Sequence, residues 1–300
     1  MEASQELERL TRELDNFQSI AKYLVPLPGE VPRLSGIDVW GGSVQLNGSV
    51  GGDHITYIDF KQRFDLQARI ERAREEGRFD VADNLQGCQH KAGIAVMDVA
   101  GHQMTDAMLA AMLHQAFLLG AIYELDRYGQ ITRRLFENLN TRFYQSSGTH
   151  KYVSMIYGEI SEDAKFRFLT AGVPFPVVFS NVHNRFMDVS DHLKVSFPPL
   201  GMMPSFVIDR RLTTSLLGFK ERYEMNEWLL MGRGDILLLH TDGLSDHRVH
   251  DESYFPGRLE EVLRDVKHLG SREIYEAIKK DVLAYGRPTD DITLVVIKLK

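Results

Sequence analysis

The chain has 300 residues, 43% of them apolar, enough to bury at least one substantial core as one large or two ordinary domains. Its 35 Lys and Arg against 42 Asp and Glu leave a net charge of −7, a surface that repels phosphate backbones and argues against sequence-independent nucleic-acid binding. The single cysteine, Cys88, excludes an internal disulfide and a cysteine-based zinc site, and it fits a reducing, cytoplasmic setting.

The first residues are charged and lack the apolar stretch of a signal peptide. Leu7, Leu10, Leu14, Phe17, Ala21 and Leu24 then step by threes and fours, a heptad seam that predicts a helix over residues 6–24. It is shorter than the roughly three to four heptads of a self-sufficient coiled coil, so packing on its own domain and homodimerisation are both open. Pro26, Pro28 and Pro32 end it. From Ile37, the segments IDVWG, VQLNG and HITYIDF alternate apolar and polar residues between glycines and predict three short strands. Residues 61–85 interrupt them with a polar helical stretch. Asp65/Arg69 and Arg72/Glu76 stand four apart there, and Phe60, Phe64 and Ala68 give a thin apolar stripe, which predicts a solvated insertion.

Strand texture resumes with AGIAVMDVAG at Ala92. The Asp106–Leu125 helix that follows is apolar nearly all round and predicts cover on most sides; Asp106, His114, Gln115 and Glu124 argue against a membrane span. A second helix is expected over 130–144, with Ile131, Leu135, Leu139 and Phe143 in step. Four short segments, YVSMIYGEI, KFRFLTAG, PVVFS and RFMDVS, then read as an antiparallel meander. DILLLH reads as a fully apolar strand, helices follow over 259–269 and 272–285, and ITLVVIKL closes the chain as a last strand. Helix pairs interrupting antiparallel strands predict an α+β layered domain, two packed sheets with helices outside.

Four motifs set aspartate at a strand end or turn: Gly51-Gly52-Asp53, Asp98-Val99-Ala100-Gly101-His102, Thr241-Asp242-Gly243 and Asp290-Asp291-Ile292-Thr293. A strand end is a rigid mount, and glycine lets the backbone approach a bound group. Carboxylates converging from such ends repel one another and need a cation or protons. Oxygen ligands without a Cys/His set favour Mg²⁺ or Mn²⁺ over zinc. Singly each motif is weak, since Asp-Gly after a strand is usually only a turn.

In this order, with TAG (Thr170–Gly172), Leu200-Gly201 and GDILLLHTDG between them, the motifs resemble the SpoIIE/RsbU-type bacterial branch of the metal-dependent PPM (type-2C) serine/threonine phosphatases, over nearly the whole chain from Leu24. That resemblance implies a four-layer sandwich of two antiparallel β-sheets flanked by helix pairs, with an N-terminal signalling or dimerisation helix over 1–30, a phosphatase domain over 31–300 and a helical insertion at about 61–87. It implies that Asp98 bridges two Mn²⁺ or Mg²⁺ ions, that the Val99 carbonyl and Asp53 serve one of them, and that Asp242 and Asp290 serve the other. Asp291 would make hydrogen bonds beside the ligands, or exchange roles with Asp290. Hydroxide generated between two such ions attacks a phosphoserine or phosphothreonine without a covalent enzyme intermediate, so Asp98 and Asp242 carry catalysis and Cys88 has no task. The implied substrate is a phosphorylated regulatory protein, typically a STAS-like anti-anti-sigma partner, with no nucleic acid and no membrane involved.

The pattern departs from the family at His54-Ile55-Thr56-Tyr57 after GGD, at Gln103 after Gly101-His102, at Val173 after the TAG motif, and in the insertion. A noncatalytic module that keeps the fold and binds a partner is therefore the alternative. His102 and His54 are open between structural and site roles, His240 is expected to fill core space, and Arg63, Arg69 and Arg72 are candidates for substrate phosphate against a salt-paired helix surface.

Overall fold

The computed structural model describes residues 2–21, 31–46, 52–99, 104–146, 151–205, 215, 217–229 and 232–300. The N-terminal helix α1 (Glu2–Ala21) carries the heptad seam, and its Leu7 and Leu10 are 67% and 49% exposed. Leu24, Pro26 and Pro28 lie outside the described residues. Next come β1 (Ile37–Val44), β2 (Asp53–Asp59), α2 (Phe60–Arg63), α3 (Leu66–Glu75), α4 (Phe79–Gly87) and β3 (Lys91–Val99). The long α5 (Met104–Tyr128) and α6 (Arg133–Ser146) lead to β4 (Val153–Ser161), β5 (Phe166–Ala171), β6 (Val177–Ser180), β7 (Arg185–Phe186), β8 (Ser196–Phe197) and β9 (Asn226–Trp228). The chain ends with β10 (Ile236–His240), α7 (Asp242–Ser245), β11 (Arg248–Val249), β12 (Glu252–Ser253), α8 (Gly257–Val266), α9 (Ser271–Tyr285) and β13 (Ile292–Leu299).

Five strands form one sheet in the order β1-β13-β10-β6-β7, and the second runs β2-β3-β4-β5-β8 with β9 also on β5. Every pairing in both is antiparallel except β5 with β8. Side chains of alternate parity enter different cores, as the two-residue strand repeat requires. Leu237 and Leu239 of β10 join Ile94 and Val96 of β3 between the sheets. Ile236 and Leu238 pack outward with Ile274 and Ile278 of α9, while Ala95 and Met97 pack outward with Leu113 and Phe117 of α5. Strands covered on both faces need apolar residues at every position, which is why GIAVM and ILLL do not alternate. The expected α+β layering, helices outside two antiparallel sheets, is the observed one.

Three local expectations change. IDVWG and VQLNG are not two strands: β1 runs straight through Gly41-Gly42, because a Cβ at Gly41 would lie 2.8 Å from Leu294 O, Val295 Cγ2 and the Tyr57 hydroxyl. These glycines mark close packing rather than a turn. The four-segment meander is split, with β4 and β5 in one sheet and β6 and β7 in the other; the chain crosses over after Gly172, whose φ of +80° suits glycine.

The third change concerns the helices. Residues 66–87 are docked, not solvated: Leu66, Ile70, Ala73, Ala82 and Leu85 are buried, whereas Ala68 is exposed. Asp65 caps α3 by accepting from Ala68 N (3.0 Å) instead of pairing with Arg69. Arg69 and Arg72 both bind Asp126, and Arg78 and Asn84 donate to the carbonyls of Asp126 (2.8 Å) and Tyr128 (2.9 Å), satisfying the C-terminal end of α5. Within α5 itself, Met108–Tyr128 is long and apolar enough by composition to cross a membrane, but Leu113, Phe117, Ala121 and Leu125 are buried against the domain. Its outer face is bare: Met108, Met112, Leu119 and Tyr123 are more than half exposed.

Candidate active site

Aspartates from both sheets reach one end of the inter-sheet core. Asp53 opens β2, Asp98 is the penultimate residue of β3, and the two are direct cross-strand partners. Parity turns both inward: Asp53 shares its face with Ile55 and Tyr57, and Asp98 shares its face with Ile94 and Val96. From the facing sheet, Asp242 follows β10 by one residue beyond Thr241, and Asp290 stands two residues before β13.

Holding these groups together is electrostatically unfavourable. Burial first, then the charges of Asp242, Asp290 and Asp291, push the Asp98 carboxyl up to about 7. Asp53 is raised well above the carboxylate range by burial and then by Asp98, against hydrogen bonds from Thr293 and Thr241 that favour its charged form. Asp242 is raised by burial, then by Asp290 and Asp246. The mouth is a concentration of negative charge without a basic side chain among the causes of these shifts.

Local structure fixes each acid. A Cβ at Gly243 would sit 1.9 Å from the Asp291 carbonyl oxygen, so only glycine lets the turn of α7 lie on the start of β13, with Asp242 next to Asp290. Asp291, 4% exposed, accepts Leu46 N–H at 2.6 Å and Gly52 N–H at 2.9 Å, pinning both ends of the β1–β2 connection. Both its oxygens are thereby occupied. Asp290 is exposed and accepts only the Asp291 N–H (2.8 Å) among its described contacts. Val99 buries its side chain under α5 and donates its N–H to Gly52 O (3.3 Å), so only its backbone can face the mouth.

One feature carries no signal in the sequence beyond the hydroxyls flanking two of the motifs. The Thr241 Oγ1 donates to Asp53 Oδ2 (2.8 Å) and accepts the Thr293 N–H (3.0 Å), and the Thr293 hydroxyl meets that of Ser43 at 2.6 Å. This relay ties the two sheets together behind Asp53.

Other singled-out residues lie elsewhere. His54 turns away from Asp53 to meet His114 of α5 (2.7 Å), and burial, then His114, push its imidazole down to about 3. His240 is buried against Phe255 with Nδ1 near Thr241 O. Cys88 is buried and its thiol is pushed up to about 12 by burial, an inert group. Arg69 and Arg72 are spent on Asp126 at the far end of α5. Gly51, Gly101, His102 and Gln103 lie outside the described residues.

Among the described residues, no three His, Cys, Asp or Glu side chains already close on one point as a cage. A hard divalent ion that keeps most of its water needs only one or two carboxylates. The donor set here, all oxygen, anionic and held at strand ends, suits Mg²⁺ or Mn²⁺ and does not suit zinc.

The sequence matches the family described as stage II sporulation protein E (SpoIIE) over residues 89–300. It is 27% identical over 160 residues to the phosphoserine phosphatase RsbP of Bacillus subtilis, which is 53% of this chain and 34% of that protein, so the chain spans about a third of that relative. The PP2C domain of SiaA from Pseudomonas aeruginosa shares the fold with a TM-score of 0.64 at 16% identity, covering 100% of both chains. The PP2C phosphatase domain of SpoIIE from Bacillus subtilis, solved with a fragment of its regulatory domain, gives 0.59 at 16%, covering 89% of this chain and 64% of that one. The chain belongs to the SpoIIE family.

Proposed function

We propose that this protein hydrolyses phosphoserine or phosphothreonine on a regulatory protein of a partner-switching pathway, a STAS-like anti-anti-sigma factor by analogy with the family. The observation that carries the reading is the meeting of Asp53 and Asp98 from one sheet with Asp242 and Asp290 from the other at a single mouth, where the proton affinities of Asp53, Asp98 and Asp242 are raised as in a site short of cations. Asp98 would be shared between two ions, Asp53 and the Val99 carbonyl would serve one, and Asp242 and Asp290 the other. Asp290 is favoured over Asp291 because both oxygens of Asp291 are taken by backbone amides. When bound, a pair of Mn²⁺ or Mg²⁺ ions supplies an activated water and neutralises the phosphoryl oxygens.

The chain's own residues position these groups. Thr241 keeps an oxygen of Asp53 in place, Asp291 holds the loop before it, and Gly243 seats Asp242 on the other strand end. His54 and His240 are both turned into packing and are not placed to transfer protons at the mouth. The proposal also assigns residues 1–30 to a signalling helix able to pair with a second copy through 6–24, ahead of a phosphatase domain over 31–300. The exposed Leu7 and Leu10 support that pairing. It places the reaction in the cytoplasm, where a lone thiol stays reduced.

The test is hydrolysis of a phosphoserine peptide by protein stripped with chelator and re-supplied with Mn²⁺. Wild type should turn over only with the ion, and Asp98→Asn should be inactive while keeping its fold. Metal-independent turnover, or full activity in Asp98→Asn, would refute the assignment.

A further inference from the structure

At the end of α5 remote from the aspartates, a groove of about 500 Å³ opens between that helix, the first turns of α6 and the loop before β9. Tyr123 lies 19 residues after Met104, roughly 28 Å along the helix axis, so the groove is separate from the candidate active site. We propose that it is a docking site for an acidic, partly apolar segment of a protein partner.

Three guanidiniums line it: Arg133 and Arg134, which open α6, and Arg222 from the loop. The acids in the same wall are turned inward. Glu124 accepts the Thr132 N–H (2.9 Å), and Glu137 accepts Lys220 Nζ (2.7 Å) and the Tyr223 N–H (2.9 Å). Both are buried, and the first turn of α6 adds no further acid. Arg134 rests on the Tyr128 ring and donates to its hydroxyl, a neutral partner. Arg133 and Arg222 are exposed and make no ion pair or side-chain hydrogen bond among the described residues. On a protein of net charge −7, whose exposed Glu221 and Glu224 flank Arg222 without lining the groove, the charged groups exposed in the lining itself are guanidiniums, which attract anionic side chains.

A small anion would satisfy the arginines and leave the rest of the surface bare. Tyr123, 61% exposed, carries the groove onto the outer face of α5, where Leu119 one turn earlier is 70% exposed. Aromatic and arginine anchors beside an apolar strip are the composition of protein interfaces. A segment that places carboxylates among the arginines and an apolar side chain over Leu119 and Tyr123 covers both features at once.

The probe is a fluorescein-labelled amphipathic peptide with glutamates on one face and leucines on the other, followed by anisotropy with the full chain. Binding should weaken as salt rises and fall at least about tenfold in Arg133→Ala/Arg222→Ala, equivalent to about 1.4 kcal/mol. Arg222→Glu, on an exposed loop, should lower affinity by itself with an unchanged melting temperature. Leu119→Ser should weaken the leucine-bearing peptide more than an all-polar glutamate peptide. Removing two charges beside the strands of the other sheet, Arg233→Ala/Lys300→Ala, should leave binding within about twofold. Absence of binding, equal losses in the groove and control variants, full displacement by inorganic phosphate, or a self-association abolished by Arg133→Ala/Arg222→Ala that accounts for the occupancy would each overturn the proposal. Phosphatase turnover is not the readout, so failure here leaves the active-site assignment untouched.

Discussion

The hydroxyl of Thr241 donates to Oδ2 of Asp53 at 2.8 Å across 188 residues of chain, joining the end of a strand in one sheet to the start of a strand in the other. Because the same oxygen accepts the Thr293 N–H, it sets the separation of the two sheet ends as well as the aim of the carboxylate. Thr241→Val should leave a buried N–H and a buried carboxylate short of a partner, costing about 1–3 kcal/mol of stability. Mn²⁺-dependent turnover should drop by about tenfold or more, and Thr241→Ser should recover most of both losses. Urea melts and steady-state kinetics on the three proteins check this; a valine variant with wild-type turnover would remove Thr241 from the positioning role.

Gly243 is where packing of the backbone, rather than a side-chain contact, sets the site. A methyl group there collides with the Asp291 carbonyl, and neither α7 nor β13 can move without displacing Asp242 or Asp290. Gly243→Ala should therefore cost about 1–3 kcal/mol and abolish Mn²⁺-stimulated activity. A scan of melting temperature and activity reads both effects, and an active, unperturbed alanine variant would contradict the close approach.

Two buried groups make opposite contributions to the pH dependence of stability in metal-free protein. His54 stays neutral to about 3 when folded but takes a proton near its ordinary 6.5 when unfolded, so its contribution is lost as pH falls through that window. Asp98 is raised from 3.8 to about 7, so it holds a proton in the folded chain that the unfolded chain releases, and its contribution is lost as pH rises through that window. Unfolding free energies measured against pH should thus tilt in opposite senses for His54→Gln and Asp98→Asn relative to wild type. Parallel curves for all three would show that neither group titrates as its surroundings dictate.

The layers were legible because strands covered on both faces cannot hide: ILLL and GIAVM admit no polar residue, and both lie inside their sheets, with a neighbour on each side. The aspartates were legible for the converse reason, since a charge directly after such a run has to sit at the edge of the core. What the sequence concealed depends on contacts between distant segments. Gly41-Gly42 reads as a turn until Leu294 and Tyr57 are seen pressing on it. Arg69 and Arg72 have partners four residues away in the sequence, yet fold onto Asp126, because capping α5 brings that carboxylate closer. The outer face of α5 is as apolar as its inner face, so composition alone did not distinguish the covered side from the bare one. Thr241 and Thr293 stand beside the quoted aspartates, but their relay exists only once two sheets are stacked.

The central claim is that carboxylates from both sheets jointly hold divalent cations that drive phosphate-ester hydrolysis. Calorimetric titration of chelator-stripped protein with Mn²⁺, alongside phosphoserine-peptide turnover, for wild type and Asp242→Asn tests it most directly. The account predicts saturable binding and Mn²⁺-dependent turnover in wild type, and weakened binding with no turnover in a folded Asp242→Asn. Equal binding and equal turnover in the two proteins would contradict it.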